Sequence, residues 1–125
     1  MVAVDTNILV RFFTNDHPEQ SPQARTFIQT AKPASLLLDR IIIEELGYVL
    51  RANYGFSKSK VGAAYQSLLA TEVFSVPERE LVEAAVRLFI SEKPLSFEDS
   101  WLLALKRGGE VKDVLTFDAA LQKRL

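Results

Sequence analysis

Apolar and polar positions along this chain fall into two rhythms, one of helices and one of short buried strands. Ala24, Phe27, Ile28 and Ala31 recur at i, i+3, i+4 and i+7 behind Ser21-Pro22, a capping residue followed by proline at the first helical position. Val61, Ala64, Tyr65, Leu68 and Leu69 make a second stripe, with Ser57 or Ser59 as its cap. Leu81, Ala85, Leu88 and Phe89 make a third. It is entered through Pro77, carries Glu78, Glu80 and Glu83 near its positive end, and stops before Pro94. The periodicity predicts helices over 6–13, 21–31, 41–53, 58–70, 78–92, 97–107 and 118–123. Short apolar runs at 2–4, 35–38, 73–76 and 114–116 suit buried strands. Such an alternation predicts an α/β fold, one three-layer α/β/α domain over 1–125 with a central, mainly parallel sheet.

Composition narrows the class. The chain has 125 residues, 48% hydrophobic and 25% charged, which suits one globular domain and excludes a disordered one. No apolar run approaches the roughly 20 residues of a membrane helix, and the N-terminus lacks the basic and apolar regions of a signal peptide. A cytoplasmic protein with no membrane partner is expected. There is no cysteine and one histidine, His17, so thiolate and multi-histidine metal sites are out. His17, before Pro18, reads as a surface residue. The net charge of −1 neither proves nor excludes a nucleic-acid partner, because four negative charges confined to one site would leave +3 for the remaining surface.

The acids are where chemistry enters. In open parallel sheets ligands collect beyond the carboxyl ends of the strands. Asp5 ends the first expected strand and leads into Thr6-Asn7; Asp118 follows the last, beside Thr116. Each equally suits a helix N-cap. On the helix from Ile41, Ile42, Leu46, Val49 and Leu50 mark a buried stripe. At 100° per residue Glu44 lies nearly opposite it and reads as a solvated acid, whereas Glu45 lies on its flank, where an unpaired carboxylate is costly. Ser96 and Asp99 fit a capping box, yet Asp99 also opens an almost wholly apolar helix that meets strand ends, while Glu98 points outward. Asp5, Glu45, Asp99 and Asp118 therefore stand out as a set. Four carboxylates held together repel unless cations compensate. Oxygen ligands without histidine or cysteine favour Mg²⁺ or Mn²⁺ over zinc.

Val4-Asp5-Thr6-Asn7, the segment 45–50, Phe97-Glu98-Asp99 and Leu115-Thr116-Phe117-Asp118 occur in the order seen in PIN-domain ribonucleases. Over essentially its whole length the chain resembles that family, and within it the VapC-type toxins of toxin–antitoxin pairs. The resemblance implies a metal-dependent endoribonuclease that hydrolyses phosphodiester bonds with a metal-activated water. Asp5, Glu45, Asp99 and Asp118 would be its catalytic metal ligands, with Thr6, Asn7 and Thr116 as supporting hydrogen-bonding neighbours. It further implies an RNA substrate, a cognate antitoxin that brings an arginine to the acids, and a homodimer. Many relatives continue into a final edge strand, which is absent if the domain stops at Leu125. Arg11, Arg40, Lys58, Lys60, Lys93, Lys106 and Arg107 are candidate groove cations; Tyr48 and Tyr54 could stack a base, whereas Tyr65 and Trp101 have the spacing of core residues. The alternatives are a non-catalytic PIN-like module binding RNA or protein, or a phosphatase using Asp5 as nucleophile. Asn7 stands where such a phosphatase has its second acid. A receiver-like domain is weaker still, lacking paired acids after the first strand.

Overall fold

A computed structural model describes residues 1–125, in two units, Met1–Pro77 and Glu78–Leu125. In the first, three short parallel strands, β1 (Val2–Ala3), β2 (Leu36–Leu37) and β3 (Phe74–Ser75), form one sheet in the order β1-β2-β3. Val2 pairs with Leu36 and Leu36 with Phe74. Ladder bonds continue past the formal ends: the Val4 amide donates to Leu37 and the Leu38 amide to Ser75. Helices α1 (Thr6–Thr14) and α2 (Gln20–Thr30) connect β1 to β2, and α3 (Arg40–Tyr54) and α4 (Lys58–Ala70) connect β2 to β3. Parallel neighbours need such crossovers. The second unit is helical, with α5 (Arg79–Ser91), α6 (Phe97–Arg107) and α7 (Ala119–Gln122). Leu95, Leu103 and Leu121 are buried together there, with Leu88, Val114 and Leu125 packed against them. The α/β class is as expected. No helix is long and apolar enough to cross a membrane.

Local chemistry sets the helix ends. Asp39 and Ser57 accept from the amides of Ile41 and Lys60 to cap α3 and α4. Gly55, at φ 67°, closes α3 in the left-handed conformation that suits glycine. At α2 the expected Ser21 cap is displaced: Ser21 is buried, and His17 Nδ1 accepts from the amides of Glu19 and Gln20. His17 thus does the capping work that the Ser-Pro pair predicts for Ser21.

One expected strand is absent. Residues 114–116 make no sheet pairing, so the sheet has three strands. The segment keeps an alternating pattern, with Val114 and Thr116 half-buried. Leu115 and Phe117 are fully exposed, at 99% and 103%, and a run that buries only alternate side chains does not behave as a strand covered on both faces.

Helices α3 and α4 meet at Gly47 and Tyr65. Tyr65 is 2% exposed, and its hydroxyl approaches Gly47 closely. Burial, reinforced by the nearby negative charge of Glu44, pushes the phenol pKa well above its usual value. The raised group is neutral in the native state throughout the ordinary range, so its contribution to stability is complete below about pH 10 and falls as pH rises beyond it. Urea midpoints measured from pH 8 to 11 are expected to decline more steeply for the parent than for Tyr65→Phe. Parallel declines would contradict a buried neutral phenol.

Candidate active site

The cavity that gathers the most informative residues lies between α1 and α3. It encloses about 540 Å³ and is lined by Asp5, Thr6, Asn7, Val10 and Arg11 on one side and Glu45, Val49, Asn53 and Tyr54 on the other. Helical spacing explains the lining. Thr6–Val10 and Asn7–Arg11 are i, i+4 pairs, and Glu45, Val49 and Asn53 follow one another at intervals of four.

At the acidic end Asp5 caps α1, its Oδ1 accepting from the Thr6 amide at 2.7 Å. The cap and site readings of this aspartate are therefore compatible: one oxygen is anchored and the carboxylate stays exposed at the cavity. Glu45 is exposed and makes no hydrogen bond or ion pair. Thr6 is 4% exposed, and its Oγ1 has no hydrogen-bond partner at all. A buried hydroxyl left unsatisfied costs about 1–3 kcal/mol, so Thr6 is an energetically expensive residue to hold beside the two acids. The carboxylates of Asp5 and Glu45 and the Asn7 amide oxygen are hard oxygen donors exposed at this cavity, and in that respect these residues fit a Mg²⁺ or Mn²⁺ ion.

Helix α3 is rotated relative to the sequence expectation. The buried stripe is Ile43, Leu46, Gly47 and Leu50 rather than Ile42, Leu46, Val49 and Leu50. Consequently Glu44 is half-buried near Tyr65, not solvated, and Val49 is half-buried in the cavity wall. Glu45 still reaches the cavity, but from an exposed face. The difference arises because Gly47, absent from the expected stripe, is a core contact: only a residue without Cβ lets Tyr65 pack so closely.

At the other end Arg11 and Tyr54 are held by Asp16. The Arg11 guanidinium lies 3.3 Å from Asp16 and 3.2 Å from the Tyr54 hydroxyl, and its Nε donates to Gln20 at 2.9 Å. Tyr54 in turn donates to Asp16 at 2.9 Å, as does Thr14 at 2.7 Å. The hydrogen bond from Thr14, then that from Tyr54, with the Arg11 charge adding less, holds the Asp16 carboxyl below its usual pKa. Asn53 escaped the sequence analysis altogether; its spacing from Glu45 was the available signal.

The second unit carries the remaining acids. Asp99 and Ser96 form the expected capping box of α6, with the Ser96 amide donating to Asp99 at 3.3 Å and the Asp99 amide to Ser96 at 3.1 Å. Asp118 caps α7 by accepting from the Leu121 amide at 2.8 Å, and its own amide donates to the Thr116 hydroxyl at 3.0 Å. No three carboxylates, with or without histidine, stand close enough to hold an ion together. Asp5 and Glu45 line one cavity together. Among the other candidates, Lys60 sits over the Phe56 ring, Lys106 pairs with Asp113, and Tyr65 and Trp101 are buried as core residues. Tyr48 is exposed.

A family model described as PIN domain matches residues 2–124. No curated protein and no solved structure matches the chain.

Proposed function

The chain belongs to the PIN-domain family, and from that premise we propose that it is a divalent-metal-dependent RNA endonuclease and the toxin of a toxin–antitoxin pair. Membership itself supplies the coarse activity, that of a nuclease. The observation that supports the finer reading is the α1–α3 cavity, which Asp5 and Glu45 line together with Thr6 and Asn7. Asp5 and Glu45 would hold Mg²⁺ or Mn²⁺; for Asp99 and Asp118 as further ligands, and Thr116 as their neighbour, the support is the family pattern alone. A bound divalent cation supplies an acidified water as nucleophile and offsets charge on the scissile phosphate.

The chain's own groups do the rest. The Thr6 amide fixes the Asp5 carboxylate, while the Thr6 hydroxyl itself is closed off from solvent. Asn7 adds an amide on the same wall, and Arg11 places a cation within the cavity that holds the two acids. Homodimerisation is supported by large apolar side chains exposed on α3, namely Ile41 and Tyr48. A cognate antitoxin would lay an amphipathic segment on such a surface and bring an arginine to Asp5, in competition with the cation.

The neighbouring glutamates provide the test. Glu45→Gln is expected to lower RNA cleavage by roughly 100-fold and raise the Mn²⁺ concentration needed for half-maximal rate, since removal of even an indirect ligand partner costs 10–100-fold. Glu44→Gln, directed away towards Tyr65, is expected to stay within about twofold of the parent. A Glu45→Gln protein as active as the parent would overturn the reading.

A further inference from the structure

A second, smaller cavity of about 170 Å³ shares Asn7 and Arg11 with the acidic one. Its other walls are Ile8, Gln20, Gln23, Ala24 and Phe27, from α1, the start of α2 and its exposed face. We infer that this cavity holds one unpaired nucleobase of the RNA strand whose phosphate lies at Asp5 and Glu45, with Arg11 on the phosphate between them. The inference rests on the nuclease reading for the identity of the strand.

Three features carry it. The volume lies well below the roughly 300–1,000 Å³ of pockets for drug-sized ligands, so it suits a single small ring system. Phe27 is 56% exposed and, with Ile8, gives an apolar wall, while the side-chain amides of Asn7 and Gln23 make no hydrogen bond within the chain. Aromatic stacking on one face and amide donors and acceptors at the edge are the means by which unpaired bases are bound and told apart. Finally, Arg11 is fixed through Nε by Gln20 and through one terminal nitrogen by Asp16 and Tyr54, leaving its second terminal nitrogen without a partner. The bonds to Gln20, Asp16 and Tyr54 hold the guanidinium in place, and its one remaining terminal nitrogen is left to donate to a phosphate oxygen. Gln20 thereby serves both cavities: it lines the smaller one and sets the cation shared with the larger.

Fluorescein-labelled A5, C5 and U5 pentaribonucleotides, titrated in Ca²⁺ and followed by anisotropy, test the inference. Phe27 and Gln23 are exposed, so Phe27→Ala and Gln23→Ala should fold as the parent does, which circular dichroism checks. Phe27→Ala is expected to weaken binding about 5- to 160-fold, the range of one lost stacked base. Gln23→Ala is expected to narrow the affinity differences among the three oligomers. Unchanged affinities in both variants, or no binding by the parent, would overturn the base site. Cleavage by the parent in Mg²⁺ or Mn²⁺ is scored separately: loss of binding in Phe27→Ala with no parental cleavage would sink the nuclease reading and leave the base site standing. Capture of a protein chain with no RNA affinity would assign the cavity to a protein partner and overturn the inference.

Discussion

Asp5→Asn is expected to leave the fold intact and lower RNA cleavage by about 10²–10³-fold. The two halves of that result come from separate roles of one side chain. As a cap of α1, Asp5 accepts a single hydrogen bond from the Thr6 amide, and an asparagine oxygen does this as well as a carboxylate. Thermal midpoints of parent and variant should therefore coincide. As a cavity residue it contributes a full negative charge and a second oxygen, and the amide supplies neither. A lost ligand to a catalytic cation is worth several kcal/mol of transition-state stabilisation, at about 1.4 kcal/mol per tenfold in rate. Asp5→Ala removes both roles and should cost about 1 kcal/mol of stability in addition. If Asp5→Asn cleaves RNA at the parental rate, Asp5 is a cap and nothing more.

The largest effect on stability is expected from Gly47→Ala. A Cβ built at this position would lie 1.9 Å from the Tyr65 hydroxyl oxygen, 2.9 Å from its ring carbon Cζ and 3.3 Å from a Val61 methyl. Tyr65 is 2% exposed, so its ring can clear the new methyl only by pushing against packed neighbours. Overpacking of this kind costs about 3 kcal/mol, and the helical preference of alanine returns about 1 kcal/mol. A net loss of about 2 kcal/mol corresponds to a drop of roughly 8 °C in the thermal midpoint for a chain of this size. Tyr65→Phe in the same background removes the worst contact, so the double variant should recover part of the loss. An unchanged midpoint in Gly47→Ala would mean that α3 and α4 do not approach as described.

These two residues also show what the sequence could and could not reveal. Asp5 was legible because a strand-end aspartate followed by Thr-Asn has few structural uses, and both of them, cap and cavity wall, are realised together. Gly47 was not, because a glycine adds nothing to a hydrophobic stripe even when it is the point of closest packing. That omission rotated the inferred face of α3 and misplaced Glu44, although Glu45 reached the cavity all the same. Helix limits followed closely from caps and periodicity, as at Ser57 and Ser96, where the side chains bond the expected amides. The expected strand over 114–116 failed because an apolar triplet carries no information about its pairing partner, and Leu115 is left in solvent. The unpartnered Thr6 hydroxyl and the Asp16–Arg11–Tyr54 network depend on contacts between separate elements, α1, the α1–α2 turn and α3, that periodicity does not encode.

The most direct measurement is metal-dependent cleavage of total cellular RNA by the purified protein, with new 5′ ends counted by sequencing. After treatment with EDTA the protein should generate none above background. Restored Mg²⁺ or Mn²⁺ should produce a discrete set of ends that Asp5→Asn does not produce. New ends appearing equally in EDTA, or an identical set from Asp5→Asn, would contradict a nuclease that works through a cation at Asp5 and Glu45.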